Sequence, residues 1–131
     1  MELLSLLEAA LYYDAGDAAA MAELYEDVLG LRVVARWADG RALRLGGAVV
    51  LLFEREGVAE RDDPISDHGS SGPGHACFTV SPREYERWRG RIAERVGVVH
   101  EHEWPEGRRS FYFRDPAGNL LEIADGDMWP S

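Results

Sequence analysis

Residues Phe111–Ala124 read FYFRDPAGNLLEIA, two apolar runs around a turn. Asp115-Pro116-Ala117-Gly118 supplies the turn chemistry: Pro116 presets φ and Gly118 permits φ > 0. In the second run the pleat of a strand sends Leu121 and Ile123 to one face and Leu120, Glu122 and Ala124 to the other. A carboxylate between Leu120 and Ala124 is unfavourable in an apolar strand unless something compensates it. A bound cation would do so. The competing reading is an edge strand whose second face meets water and solvates Glu122. The rest of the chain favours the cation.

Upstream, His75 to Val80 reads as a strand. Ser81-Pro82 opens a helix, with Glu84 completing a capping box and Tyr85, Trp88, Ile92 and Val96 forming the buried face. Gly97 ends it. Val98 to Trp104 and Arg108 to Arg114 are strands around a turn at Glu106-Gly107, and Asn119 to Ala124 is the last strand. The N-terminal half repeats this order. Leu6 to Tyr13 is a strand with Glu8, Ala10 and Tyr12 on one face. Asp14 to Asp17 holds cap and turn residues. Met21, Leu24, Tyr25, Val28 and Leu29 mark a helix closed by Gly30. Strands Leu31–Trp37, Arg41–Leu45 and Ala48–Glu54 follow, divided by Asp39-Gly40 and Gly46-Gly47. Arg55 to Gly74, rich in Gly, Pro, Asp and Ser, reads as a linker or flap with no core of its own.

Strand-helix-strand-strand-strand therefore occurs twice, an internal duplication. An offset of 67 residues pairs Glu8 with His75, Gly30 with Gly97, Trp37 with Trp104, Gly40 with Gly107 and Arg41 with Arg108. Four further residues at the Asp115–Gly118 turn raise the offset to 71, pairing Leu51 with Glu122 and Glu54 with Asp125. The expected class is α+β: two βαβββ modules, residues 1–56 and 75–131, joined by 57–74 into one domain. The sheets are expected to be mainly antiparallel, with the helices outside.

The duplication makes Glu8, Leu51, His75 and Glu122 two pairs of equivalent positions, and three of the four are metal-ligand types. If the first and fourth strands of each sheet are neighbours, facing Cβ atoms lie about 5 Å apart. One cation about 2.1 Å from each ligand atom is then within reach, and three ligands leave positions open for water and substrate. Singly, Glu8 reads as solvated and His75 as a satisfied core histidine; jointly, at inward equivalent positions, they point to one site. Leu51 gives that site one apolar wall.

The composition narrows the function. At 131 residues and 46% hydrophobic content the chain can build one core. A net charge of −10 opposes nucleic-acid binding. All basic residues are Arg, which excludes Schiff-base catalysis and a Walker-type phosphate loop. The single cysteine excludes an intramolecular disulfide. No run is long and apolar enough for a membrane span, and MELLSLLEAALYY lacks the basic n-region of a signal peptide, so a cytoplasmic protein is expected.

The strings LLEAALYYDAGDAAAMAELYEDVLGL, GPGHACFTV and SFYFRDPAGNLLEIAD resemble the vicinal oxygen chelate superfamily, which includes glyoxalase I, bleomycin-resistance proteins, fosfomycin-resistance enzymes and extradiol dioxygenases. The resemblance implies βαβββ modules curled around one cavity, a homodimer, and metal ligands at Glu8, His75 and Glu122. Glyoxalase I enzymes commonly carry a fourth ligand where Leu51 stands here. The three-ligand subgroups use two His and one Glu, and here Glu8 replaces the first His.

By strand parity Tyr12, Trp37, Leu51, Phe53, Cys77, His100, His102, Trp104, Tyr112 and Arg114 should line the cavity. Tyr112 or His100 would serve as general acid or base, and Arg114 would hold an anionic group. Tyr12, Trp37, Leu51, Phe53, His102 and Trp104 would contact substrate. Packing or solvation is the competing role of each. Cys77 reads as a small buried hydrophobe, and His68 as a solvated loop residue or a flap residue at the cavity mouth. Two functions follow. One is an enzyme using Mn²⁺, Fe²⁺, Ni²⁺, Co²⁺ or Zn²⁺ on a small substrate with two neighbouring oxygens, by lyase, isomerase or dioxygenase chemistry. The other is a metal-free protein of the bleomycin-resistance type that sequesters a cationic aromatic ligand.

Overall fold

The computed structural model describes residues 1–59, 68–127 and 129. It forms two compact units, Met1–Gly72 and Pro73–Ser131. In the first, strand β1 (Glu8–Tyr13) leads through a short 3₁₀ turn into helix α1 (Ala18–Ala22), which continues as a π-helical stretch, Glu23–Val28. Strands β2 (Arg32–Trp37), β3 (Gly40–Leu45) and β4 (Ala48–Glu54) follow, in sheet order β1-β4-β3-β2. The second unit repeats this with β5 (His75–Thr79), α3 (Tyr85–Arg95), β6 (His100–Glu103), β7 (Arg109–Arg114) and β8 (Leu120–Ala124), in order β5-β8-β7-β6. The first and fourth strands of each sheet are parallel neighbours and the other pairs antiparallel, so both sheets are mixed.

The period-2 pattern sorts the faces. Leu11, Tyr13, Leu43, Val50 and Leu52 are buried, as are Met21, Leu24, Tyr25 and Val28 of the helical segment. In the second unit Phe111, Phe113, Leu121, Ile123, Tyr85 and Ile92 are buried, with Tyr85 edge-on to Phe111 at 5.5 Å between ring centres. Gly30 and Gly97 sit at φ +75° and +114°, the left-handed geometry that lets each helix stop.

Several expectations change. The stretch after Glu54 is not coreless: it forms helix α2 (Arg55–Ala59), and Val58 is fully buried. The rest of that stretch up to Asp67 lies outside the described residues. Ser81 is an N-cap without a side-chain bond, so the capping box is not formed. Val96 lies past α3 and is exposed.

The repeat holds at the outer strands and shifts in the middle. Leu51 faces Ala10, and Glu122 faces Cys77, keeping the offsets of 67 and 71. Gly40, however, faces Phe53, while Ser110 faces Ala124; Ser110, not Gly107, is the counterpart of Gly40. Trp37 pairs with Gly40 and His102 with Ser110, so His102, not Trp104, is the counterpart of Trp37. The extra residues lie mostly between β6 and β7, around the 3₁₀ turn Pro105–Gly107. No helix among the described residues is long and apolar enough to cross a membrane.

Candidate metal centre

Strand β8 runs between β5 and β7, so Glu122 is not on an edge. It is 3% exposed, which overturns the solvated reading. Cys77 and Tyr112 are its cross-strand neighbours on either side. His75 stands two residues before Cys77 on the same face, with Nε2 3.3 Å from Glu122 Oε1. Its Nδ1 lies 2.8 Å from the Leu120 carbonyl. A carbonyl only accepts, so Nδ1 carries the hydrogen and Nε2 is left to face the carboxylate. A lone pair and a carboxylate oxygen at this distance call for a positive species between them, either a proton or a metal ion. Two ligand atoms each about 2.1 Å from one ion and roughly at right angles would lie about 3 Å apart. The observed spacing suits that arrangement. Glu122 Oε2 is buried with no hydrogen-bond partner, a second sign of a carboxylate built for a ligand.

The loop before β8 fixes this pair. Asp115 Oδ1 accepts from the backbone N–H of Ala117 and Asn119, each at 2.9 Å, and Asp115 Oδ2 accepts from Asn119 Nδ2 at 2.8 Å. Asn119 Oδ1 accepts from the Gly74 N–H at 2.7 Å, and Leu120 N–H donates to the Gly74 carbonyl at 2.9 Å. The residue before His75 is thus held from both sides, and His75 is set against Leu120.

Among the described residues no three His, Cys, Asp or Glu side chains converge as a metal-holding group. The second unit supplies two candidate ligands. Glu8 opens β1 of the first unit as His75 opens β5, and it is exposed.

Cys77 is exposed, not buried as its residue type suggested. Its thiol is nevertheless pushed up to about 12, by desolvation first, then by the charge of Glu122 and a hydrogen bond to it. Since the residue is open to solvent, the adjacent anion is the firmer cause. Desolvation also raises the Tyr112 phenol, with Glu122 adding to it and a Ser110 hydrogen bond opposing it. From Tyr112 a row of rings crosses the sheet. His75 lies 6.3 Å away on one side and His100 5.8 Å on the other. His102 is 6.1 Å beyond His100, and Trp104 is 4.4 Å beyond His102. Trp104 donates its indole N–H to Ser110 Oγ, and exposed Arg114 donates to the Gly118 carbonyl.

The first unit carries a separate aromatic group. Phe53 lies 6.2 Å from Tyr12 and stacks on Trp37 at 5.9 Å. Gly40 makes this stacking possible, because a Cβ there would come within 2.9 Å of the Phe53 ring. Leu51 is half-buried beside Ala10 and Ala42. Sequence reasoning found no partner for His68. Its Nδ1 is hydrogen-bonded to the Tyr12 hydroxyl at 2.5 Å, and its ring lies edge-on to Phe53 at 5.1 Å. Arg55 steadies the segment by donating to the Ser70 carbonyl and to Asp14. The Tyr12–His68 contact spans 56 residues, and no local spacing announces it.

Two βαβββ units bearing acidic and imidazole groups at equivalent strand positions define a paired-module class. The chain belongs to the Glyoxalase/Bleomycin resistance protein/Dioxygenase superfamily, whose model matches residues 11–123. It is 31% identical over 104 residues to Glutathione transferase FosA of Serratia marcescens, covering 79% of this chain and 70% of that one. Lactoylglutathione lyase from Agrobacterium tumefaciens superposes with a TM-score of 0.91 at 35% identity, covering 100% of both chains. A virulence protein of Salmonella typhimurium superposes with a TM-score of 0.72 at 26% identity, covering 95% of this chain and 98% of that one.

Proposed function

We propose that this chain is a divalent-metal-dependent enzyme acting on a small substrate with two neighbouring oxygens. His75 and Glu122 would hold the ion, with Glu8 as third ligand. Mn²⁺, Fe²⁺, Ni²⁺, Co²⁺ or Zn²⁺ would suit two carboxylates and an imidazole, and would act as a Lewis acid on charge developing at the substrate oxygens. The observation that carries this reading is the buried Glu122 carboxylate, with one oxygen unpartnered and the other 3.3 Å from His75 Nε2. Tyr112, its phenol raised, stays protonated at neutral pH and would donate to a substrate oxygen. His100 beside it would take or return a proton. Arg114 would hold an anionic group. Tyr12, Trp37, Leu51, Phe53, His102 and Trp104 would receive the substrate's apolar part. The names of the Serratia and Agrobacterium relatives make glutathione or its adducts the first substrate class to try. Elemental analysis of protein purified without chelator tests the reading. About one divalent ion per chain is expected. Protein that is ion-free and takes up no ion on dialysis overturns it.

One observation favours the metal-free alternative. Trp37 is 47% exposed while stacked on Phe53, an open platform in an acidic chain for a cationic aromatic ligand. On that reading Glu122→Gln would leave ligand affinity unchanged.

A further inference from the structure

The four residues of β6, His100-Glu101-His102-Glu103, are all exposed, and none is apolar. Glu101 turns toward α3, accepting from Arg89 Nε at 2.9 Å and from the Tyr85 hydroxyl at 3.4 Å. Alternation puts His100 and His102 on the opposite face of the sheet. The chain has four histidines. His68 and His75 each have a hydrogen-bonded ring nitrogen, whereas the rings of His100 and His102 make no hydrogen bond among the described residues. The first unit shows what the fold needs at these places. Its register aligns Ala10, Leu51, Ala42 and Ala35, where the second unit aligns Cys77, Glu122, Tyr112 and His100. His102 likewise stands where the first unit has Trp37. The same sheet position thus accepts a small or apolar side chain, and imidazoles there are not a demand of the fold. Nor are they needed against stray pairing at this edge strand, which Glu101 and Glu103 already discourage.

We infer that His100 and His102 form a second metal site, a pair of imidazoles that takes Cu²⁺. A coordinating nitrogen about 2.1 Å from an ion puts its ring centre about 3.2 Å away, so two rings sharing an ion have centres up to about 6.5 Å apart. These two are 6.1 Å apart, with planes at 34°. Trp104 lies edge-on to His102 at 4.4 Å with its indole anchored on Ser110, and Tyr112 flanks His100 at 5.8 Å. Both rings are thus braced before an ion arrives. Two strand spacings, about 10 Å, separate His100 from Glu122, so one ion cannot serve both places. Two neutral donors with no carboxylate make a weak site, and the order of divalent affinities puts Cu²⁺ first. Mn²⁺, Ni²⁺ and Zn²⁺ are held there too weakly to saturate at micromolar concentration. On the proton-carrying role proposed for His100, an ion there also silences that group, which makes the site an inhibitory one.

The test is titration of the chelator-stripped full chain with CuCl₂, followed by electron paramagnetic resonance. The background is Glu122→Gln, which removes the buried carboxylate of the other centre and keeps the outcome separate from the reading given to it. About one Cu²⁺ per chain should bind, with hyperfine structure from two imidazole nitrogens. Adding His100→Gln or His102→Gln should weaken binding at least tenfold and leave the signature of a single nitrogen. The melting temperature should not change, since both side chains are exposed. Copper bound as tightly after either substitution, or no saturable copper binding in the background, overturns the inference.

Discussion

Glu122 combines three properties that an ordinary core residue does not: a charge, near-complete burial, and an oxygen with no partner. A carboxylate cannot donate to His75 Nε2, but an amide of the same shape can. In chelator-containing buffer at pH 8, Glu122→Gln should therefore leave stability unchanged or raise it by about 1–3 kcal/mol, read by urea unfolding. A loss of that size would instead make Glu122 a structural partner of His75. Tyr85 gives a prediction on the alkaline side. Desolvation first, then Glu101, push its phenol up to about 12 against an ordinary 10, with the Arg109 guanidinium opposing. A group raised in the folded state stabilises the fold fully below its unfolded value. That contribution is lost as pH climbs from about 10 through 12. Tyr85→Phe keeps the ring against Phe111 and should flatten the fall in melting temperature across that window; an unchanged fall would reject the assignment. The face of Glu122 was legible in the sequence because strand parity fixes it. Its burial was not, because that depends on β8 lying between two other strands. Cys77 was misjudged, and the partner of His68 was missed, for a related reason: their surroundings come from residues distant in the chain.

Two backbone features decide whether the elements present those side chains. The loop Asp115–Asn119 closes β7 onto β8 and reaches across to Gly74. Asn119→Ala would leave the Gly74 N–H and one Asp115 oxygen without their present partners, so a loss of about 1–3 kcal/mol in urea unfolding is expected, with weaker metal binding as His75 loosens. A variant of wild-type stability would show the loop to be dispensable. In the first unit, a Cβ at Gly40 would lie 2.2 Å from the Leu52 carbonyl oxygen. Gly40→Ala must part β3 from β4, and a loss of about 3 kcal/mol follows, together with a change in Trp37 emission as its stacking on Phe53 is disturbed. Strand positions were readable from alternation and turn glycines. Middle-strand equivalence was not, because Gly40 and Gly107 match as letters while one lies in a strand and the other in a turn. The capping box failed similarly: Ser81 and Glu84 have the right spacing, yet the first turn is 3₁₀.

Across the chain as a whole, duplication is the strongest signal in the sequence and led to the fold class, while the resemblance to the family rested on three strings, LLEAALYYDAGDAAAMAELYEDVLGL, GPGHACFTV and SFYFRDPAGNLLEIAD. It could not produce the reaction, since relatives on the same fold carry different names and this chain's Glu8 and Leu51 depart from both ligand patterns of the family. Saturating metal at about 100 times its Kd should stabilise the chain by about 2.7 kcal/mol in thermal or urea unfolding, and Glu8→Ala should lose most of that gain. Everything proposed of the chemistry rests on metal binding at the buried Glu122 and its neighbour His75. Calorimetric titration of chelator-stripped wild type and Glu122→Gln with Mn²⁺, Ni²⁺ and Zn²⁺ measures it most directly. One site per chain is expected in the wild type, with affinity at least tenfold weaker in Glu122→Gln. Absence of saturable binding, or equal affinity in the two proteins, would contradict it.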